Sequence, residues 1–262
     1  MKEDNNIFKK FQNSFSQLNG HFHILEQRVP VELQMEYFRY SGRMRKDPDK
    51  NELDYELIQD ILSDPEMDAE QKKHVLSMLA TSNEIKAYRL LEEYAQDPEP
   101  IVAEWAYMAL MESRIGLESE LSDEKQIYIS TGLGGKGEKL RFYVLMVANK
   151  GVPFKTYQHD IVEREFPYLL KNSNCEIERL AIGEKHIELL FLVPVRADIK
   201  SILDQVINEC NQYGDFISSI FTVTNVKELS EGEIQEIIEK HEKSNQASNR
   251  VHSTRDHGNH TR

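Results

Sequence analysis

The spacing of apolar residues changes once along this chain, and that change constrains the fold more than any other feature. From Leu53 to Ser113 the apolar side chains recur every three to four residues, which is the period of helices that bury one face. From Lys139 to Val226, β-branched and aromatic runs alternate with amphipathic segments, which indicates strands separated by helices. The pattern predicts the α+β class, with a helical N-terminal half and a mixed C-terminal half.

Two Asp-Pro pairs lie within the segment from Leu53 to Ser113. Asp64-Pro65 and Asp97-Pro98 lie 33 residues apart. Proline disfavours helix in the residue before it and lacks an amide donor, so each pair is expected to end a helix. Asp68 is placed to cap the next helix, and Pro100 is placed in the first turn of the corresponding helix. Each unit is therefore predicted to consist of a helix, a short turn and a second helix.

A helix pair that recurs at such a period is typical of α-solenoids. The segment from about 53 to 115 resembles HEAT-type repeats, in which Asp-Pro commonly stands at the turn between paired helices. The resemblance implies a HEAT-like domain over residues 1–120 whose surfaces bind other macromolecules. An ordinary helical bundle is the alternative interpretation.

The C-terminal half is predicted to be a ferredoxin-like domain over residues 139–243. Its order is strand, helix, strand, strand, helix, strand, which is that of a split βαβ unit. Pro167 is expected to interrupt or kink the first helix. Residues 244–262 include one apolar residue larger than alanine, Val251, and are predicted to form a disordered tail. The predicted strands are Lys139–Ala148, Cys175–Gly183, His186–Val195 and Phe216–Val226, and the predicted helices are Thr156–Asn172 and Ala197–Gly214.

A glycine-rich segment separates the two halves. It reads STGLGGKGEKLRF from Ser130 to Phe142. A phosphate-binding P-loop needs Ser or Thr after its lysine and a helix downstream, whereas here Gly137 follows Lys136 and a strand comes next. Residues 121–138 are therefore predicted to form a hairpin or flexible linker. We retain one candidate ligand or partner loop within it, consisting of Gly132, Gly134, Gly135, Lys136 and Gly137.

A second candidate partner-binding set lies in the segment MEYFRYSGRMRK, which mixes aromatic and basic residues. A solvated helix end, where cations complement the dipole, is the alternative interpretation. The set consists of Tyr37, Arg39, Tyr40, Arg43 and Arg45. The pair His21 and His23 lacks a third ligand at a recognisable spacing, so we predict no metal site, no cofactor and no catalytic residue.

The segment Gly183–Val206 resembles the central strand of single-tyrosine transposases, which share the ferredoxin-like fold. That family holds a metal with His-x-His on this strand and carries a nucleophilic tyrosine on a later helix. Here Glu188 follows His186 two residues later, and the terminal segment SEGEIQEIIEKHEK contains no tyrosine. The resemblance implies at most an inactive relative.

Charge and composition limit the classes of partner and the cellular location that we expect. The net charge is −13, and residues 1–120 carry 14 basic and 24 acidic side chains. An acidic surface repels phosphate backbones and anionic lipids. Two cysteines exclude a disulfide framework, no apolar run reaches membrane-spanning length, and the polar N-terminus is unlike a signal peptide. These features predict a cytoplasmic protein.

Together these observations predict a non-catalytic protein–protein interaction scaffold or adaptor. Its partner would be another protein, with self-association through the C-terminal sheet as an additional expectation and with neither nucleic acid nor membrane as a partner. Two alternatives place the function in the C-terminal half, as a small-molecule-sensing regulatory protein or as a degenerate transposase-like nucleic-acid-binding domain. An enzyme ranks third.

Overall fold

A computed structural model of the chain describes residues 22–46, 53–122 and 126–253, and the side chains of Phe22, Ile127 and residues 245–253 are outside that description. The described residues form two units that divide after Glu138. The first unit is mainly helical, and the second combines a sheet with helices. The predicted α+β class is therefore confirmed.

The first unit consists mainly of helices in succession. Its short strands β1 and β2 pair in parallel, with Phe22 opposite Ile127. Its elements are β1 (Phe22–Ile24), α1 (Val31–Met44), α2 (Tyr55–Ser63), α3 (Ala69–Thr81), α4 (Ile85–Tyr94), α5 (Ala103–Leu121), β2 (Ile127–Ile129) and β3 (Gly135–Lys136).

Aspartate side chains begin two of these helices. Asp54 caps α2 by accepting a hydrogen bond from the Leu57 amide at 3.1 Å. Asp68 caps α3, as the sequence predicts, by accepting from the Glu70 amide at 3.1 Å. Helix α5 begins at Ala103, so Pro100 precedes this helix instead of occupying its first turn.

The core of the first unit is built around Trp105 on α5. The Trp105 ring lies edge-on to Tyr37 and Tyr40 of α1, at centroid distances of 5.1 and 5.5 Å. Its indole N–H donates to Ser77 Oγ of α3 at 2.9 Å. Helix α1 thus packs against α3, which belongs to the first predicted repeat, and against α5, which belongs to the second. In a solenoid each repeat contacts only its neighbours, whereas here the helices share one core.

The second unit contains four antiparallel strands in the spatial order β7–β4–β6–β5. Helix α6 packs against α7 and β5, and α7 packs against β7. The elements are β4 (Lys139–Ala148), a 3₁₀ turn (Asn149–Gly151), α6 (Thr156–Asn172), β5 (Glu176–Ile182), β6 (His186–Pro194), α7 (Ile199–Asn211), β7 (Ile217–Thr224) and α8 (Glu231–Ser253).

One local expectation for this unit is wrong, namely that Pro167 interrupts the first helix. Helix α6 runs through Pro167 without interruption. The proline lacks the amide that would donate to the Glu163 carbonyl. Both residues are exposed to solvent, so water can supply the missing hydrogen bond. Helix α8 is assigned as far as Ser253, and residues 254–262 lie outside the described residues, so the disordered tail expected over 244–262 stays a prediction.

Among the described residues, no helix combines the length and the apolar composition that crossing a lipid bilayer requires.

Candidate functional site

The strand register brings together a group of polar side chains that we call the sheet cluster, made up of Tyr143, Arg179, His186 and Glu188. Leu145 of β4 and Ala181 of β5 both lie opposite Glu188 of β6. Opposite residues share a face of the sheet, as do residues two positions apart on one strand. Tyr143, two residues before Leu145, therefore lies diagonally next to Glu188.

The carboxylate of Glu188 is the centre of the sheet cluster. Its Oε2 accepts a hydrogen bond from the Tyr143 hydroxyl at 2.8 Å and lies 3.7 Å from the Arg179 guanidinium. Its Oε1 lies 3.6 Å from Nε2 of His186. The Arg179 guanidinium also donates to Glu228, at 2.5 Å. The cluster thus joins three strands and the segment after β7 through one hydrogen-bonded network.

Burial determines the protonation state of Tyr143. The side chain is fully buried, and this burial, together with the hydrogen bond to Glu188, raises the pKa of its hydroxyl well above the ordinary value of 10. The neutral phenol therefore serves as a hydrogen-bond donor at physiological pH.

The sheet cluster also indicates how His186 and Glu188 are used. Both lie on one face of β6, as expected for residues two positions apart. Both oxygens of Glu188 already face Tyr143, Arg179 or His186. Within the described ranges, no group of three His, Cys, Asp or Glu side chains is arranged to hold a metal ion. His186 and Glu188 therefore belong to a polar network in which both Glu188 oxygens and Nε2 of His186 face other protein groups.

A second feature of this unit is a group of exposed side chains that we call the tyrosine stripe, made up of Tyr157, Arg164, Tyr168 and Tyr213. Tyr157, Arg164 and Tyr168 recur along one side of α6, and Tyr213 follows α7. The three tyrosines are 46 %, 63 % and 51 % exposed in chain order. The guanidinium carbon of Arg164 lies 5.7 Å from the centroid of the Tyr213 ring.

Two further distances describe the surroundings of Tyr157 and Arg164. The hydroxyl of Tyr157 lies 3.6 Å from the point that a Cβ on Gly214 would occupy, so Tyr157 adjoins the turn that carries Tyr213. Arg164 also contacts the carboxylate of Glu165 at 2.9 Å, so its charge is partly neutralised. The stripe presents several aromatic faces and one guanidinium to solvent.

The glycine loop belongs to the first unit and is used for packing. Gly134 has φ 68°, and a Cβ there would lie 2.4 Å from the Glu26 carbonyl oxygen. The amides of Gly135 and Gly137 donate to the Glu26 carbonyl and carboxylate, at 3.3 and 2.8 Å. Gly132 is buried in the same turn, and Lys136 is exposed. A ligand or partner at this loop stays a prediction.

The aromatic and basic set on α1 divides between core and surface. Tyr37 is fully buried, and its hydroxyl donates to Glu112 at 2.6 Å. Arg45 contacts the same Glu112 carboxylate at 2.8 Å. Tyr40 packs against Trp105, with Arg43 5.6 Å from its centroid, and Arg39 donates to the Met35 carbonyl at 3.1 Å. Tyr37 therefore holds the core together, and partner binding by the exposed arginines stays a prediction.

The histidine pair is only partly described. His21 lies outside the described residues. The Nε2 atom of His23 faces Glu118 at 2.7 Å and Gln126 at 3.1 Å, and its ring stacks on Tyr128 at 4.9 Å. His23 thus joins β1 to α5 and the segment before β2.

Sequence reasoning missed both the tyrosine stripe and the partners of Glu188. The stripe leaves a detectable signal, since Tyr157, Arg164 and Tyr168 recur at helical spacing opposite the apolar face of α6. Tyr143 and Glu188 are 45 residues apart, and their contact follows from strand register, which the sequence does not specify.

No protein-family model and no curated protein matches the chain. Among solved structures, a putative transposase from Deinococcus radiodurans R1 is 14 % identical, with a TM-score of 0.36 over 41 % of this chain and 94 % of that one. A REP-associated tyrosine transposase bound to a REP hairpin is 11 % identical, with a TM-score of 0.30 over 35 % of this chain and 58 % of that one.

Three predictions are corrected. The identification of HEAT-type repeats and an α-solenoid is wrong, because α1 contacts both predicted repeats in one shared core. The protein-interaction scaffold as the main function and the exclusion of nucleic acid as a partner are corrected as well and are not retained; the two matched structures are transposases, and one of them is bound to a REP hairpin. The ligand of this chain is therefore inferred below from the chain's own residues.

Proposed function

We propose that this chain binds single-stranded DNA through its C-terminal unit and does not cleave the strand. The observation that carries the proposal is the stack of Arg164 on Tyr213, at 5.7 Å, with Tyr157 and Tyr168 exposed beside it. Proteins that bind single strands without sequence preference stack bases on aromatic rings and contact phosphates with cations.

The fold supports this proposal. The strand order β7–β4–β6–β5, with α6 and α7 as the two connecting helices, is the arrangement expected of a ferredoxin-like domain. Nucleic-acid-binding domains are among the many functions that this fold carries, so the fold permits the function and the stripe provides the chemistry. The finer assignment of the C-terminal unit as ferredoxin-like is part of this proposal.

The tyrosine stripe has the physical properties that base stacking requires. Each tyrosine exposes about half of its surface, so a base gains apolar contact without displacing protein. A stacked base contributes about 1–3 kcal/mol in proteins of this kind. Arginine planes stack on aromatic rings and on bases alike, so Arg164 extends the platform beyond Tyr213.

Charge limits the affinity. The chain carries a net charge of −13, and Arg164 already contacts Glu165. Long-range attraction to phosphate is therefore weak, and binding relies on stacking more than on charge. We expect measurable affinity at low salt and a shallow dependence on salt concentration.

The sheet cluster accounts for the absence of cleavage in this proposal. Glu188 stands where the resemblance to single-tyrosine transposases implies a second metal-binding histidine, and its oxygens face Tyr143, Arg179 and His186. The terminal helix has no tyrosine between Glu231 and Ser253 to act as a nucleophile. The nucleic acid would therefore be held and released unchanged.

Fluorescence anisotropy with a labelled oligothymidine strand tests the proposal. Tyr168→Ala and Tyr213→Ala are each expected to weaken binding by about tenfold, the equivalent of one stacked base. Phe38→Ala removes an aromatic side chain of similar exposure, 45 %, from the first unit and is expected to bind like the unaltered protein.

A hairpin oligonucleotide, the ligand named for one matched structure, is the second probe. Equal binding of all variants, or no binding of either probe at low salt, would refute the proposal. Shortened product strands after incubation with Mg²⁺ or Mn²⁺ would refute the part that excludes cleavage.

A further inference from the structure

The terminal helix α8 is held against the second unit by a short apolar face. Ile234 and Ile238 are 5 % and 9 % exposed, and His241 follows on the same side of the helix. The helix packs against β4 and against the 3₁₀ turn at Asn149–Gly151. Two buried isoleucines form a small apolar contact, so the polar contacts beside them matter for docking.

The first polar contact is between His241 and Ser218 of β7. Nε2 of His241 lies 2.9 Å from Ser218 Oγ, and Ser218 is 5 % exposed. The same Oγ accepts a hydrogen bond from the Ile220 amide at 3.1 Å. A neutral His241 with an unprotonated Nε2 can accept the single hydroxyl hydrogen of Ser218, which leaves the Ser218 oxygen free to accept from the Ile220 amide.

The second polar contact lies one residue further along the helix. Glu242 Oε1 accepts from the Lys185 ammonium at 3.0 Å, and Lys185 directly precedes β6. A Cβ on Gly151 would lie 3.0 Å from the Glu242 side chain, so the helix lies close to the turn at that point. The docked helix therefore lies at the end of the sheet where β4 ends and β6 begins with His186.

We propose that α8 is a pH-responsive cover, which the neutral His241–Ser218 hydrogen bond holds against the sheet and which protonation of His241 releases. When His241 gains a proton, both ring nitrogens become donors, and the Ser218 hydroxyl must find another acceptor in a buried setting. Release would uncover the end of the sheet that carries His186. The inference does not depend on DNA binding.

The surrounding charges act on His241 in opposite directions. Burial lowers the pKa of His241 below its ordinary value, and Glu242 opposes this by favouring the protonated form. Lys185 neutralises Glu242, and Lys150 is the cation on the packed 3₁₀ turn. The imidazole faces the Ser218 hydroxyl of β7. The net effect favours neutral His241 in the docked helix.

The direction of the pH dependence follows from linkage. His241 has a lower pKa when α8 is docked than when it is released, so the released state binds protons more readily. Docking is fully favourable above the ordinary histidine pKa of about 6.5 and weakens as the pH falls below it. The docking equilibrium can change by at most about tenfold per pH unit, because one proton is involved.

Hydrogen–deuterium exchange of the full chain tests the inference, with rates corrected for the intrinsic effect of pH. Peptides from residues 231–244 are compared at about pH 5 and about pH 8. Protection of α8 is expected to decrease severalfold at the lower pH, whereas peptides from α7 (Ile199–Asn211) keep their protection.

Two variants separate His241 from other titrating groups. His241→Gln cannot gain a proton and is expected to remove the pH step in α8 protection. His159→Gln, a histidine on α6, is expected to retain the step. A step of unchanged size in His241→Gln, or equal α8 protection at both pH values in the unaltered protein, would overturn the inference.

Discussion

The hydroxyl of Tyr143 on β4 donates a 2.8 Å hydrogen bond to Glu188 on β6, between two neighbouring strands in the middle of the sheet. Tyr143 is fully buried, and Glu188 also faces Arg179 at 3.7 Å. A carboxylate at a largely buried position requires such donors, because an unpaired buried charge is costly. The pair therefore contributes to stability, and it occupies one carboxylate oxygen of Glu188.

Replacement of Tyr143 by phenylalanine tests that contribution. Tyr143→Phe keeps the ring and removes the donor, so Glu188 loses its shortest hydrogen bond. We expect the free energy of unfolding to fall by about 1–3 kcal/mol, measured by urea denaturation with circular dichroism. Tyr157→Phe, at an exposed position of α6, is the matched control and is expected to change it by less than about 0.5 kcal/mol. Equal effects of the two substitutions would contradict this prediction.

Alkaline titration gives a second test of the same pair. Burial and Glu188 raise the pKa of Tyr143 above the ordinary value of 10.0, so the folded protein holds the neutral phenol more tightly than the unfolded chain does. The resulting stability is present below about pH 10 and is lost as the pH rises towards the folded pKa. Tyrosinate absorbance of Tyr143→Phe and of the unaltered protein should therefore coincide up to pH 10 and separate above it. A difference that develops below pH 10 would count against a raised pKa.

The secondary structure was largely accessible from sequence, because local physical rules govern it. Asp68 caps its helix in the structure as its position before an apolar-periodic segment predicts. Strand β6 begins at His186, where the predicted strand begins. The three residues Gly183-Glu184-Lys185 form the turn before it, and the β-branched and aromatic residues that follow favour a strand.

The tertiary arrangement was not accessible in the same way. Helical spacing and an Asp-Pro pair describe a helix pair equally well in a solenoid and in a bundle. What separates the two is that α1 contacts both α3 and α5, and this is a relation between distant segments. The same limit applies to Arg179, whose contacts with Glu188 and Glu228 depend on strand register and on the segment after β7.

A buried ion pair in the first unit leads to a third prediction. Lys72 of α3 is fully buried and contacts Glu99, whose side chain is 32 % exposed. Glu99→Gln leaves the ammonium uncompensated and is expected to lower stability by about 2–3 kcal/mol, less than for a fully buried pair. Lys72→Met removes the charge and keeps the chain length, so it is expected to cost less than about 1 kcal/mol. Trp105 is the single tryptophan of the chain, and its fluorescence reports unfolding of this unit.

This prediction depends on which substitution, Lys72→Met or Glu99→Gln, lowers the free energy of unfolding more. A larger loss for Lys72→Met than for Glu99→Gln would mean that the attraction between the charges outweighs the cost of burying Lys72. In that case the double variant Lys72→Met/Glu99→Gln would be less stable than Glu99→Gln alone, whereas we expect it to be more stable.

Salt dependence separates the roles within the tyrosine stripe. If Arg164 contacts a phosphate, Arg164→Ala should reduce the slope of log affinity against log salt concentration by about 0.7, the value for one phosphate on a single strand. Tyr168→Ala should weaken binding at every salt concentration and leave that slope unchanged, since stacking releases no counterions. The measurement is anisotropy with oligothymidine over a salt series. An unchanged slope for Arg164→Ala, with affinity reduced, would assign the guanidinium to stacking on Tyr213 and on a base. A reduced slope for Tyr168→Ala would show instead that the exposed rings act by positioning cations, and the stacking mechanism would have to be abandoned.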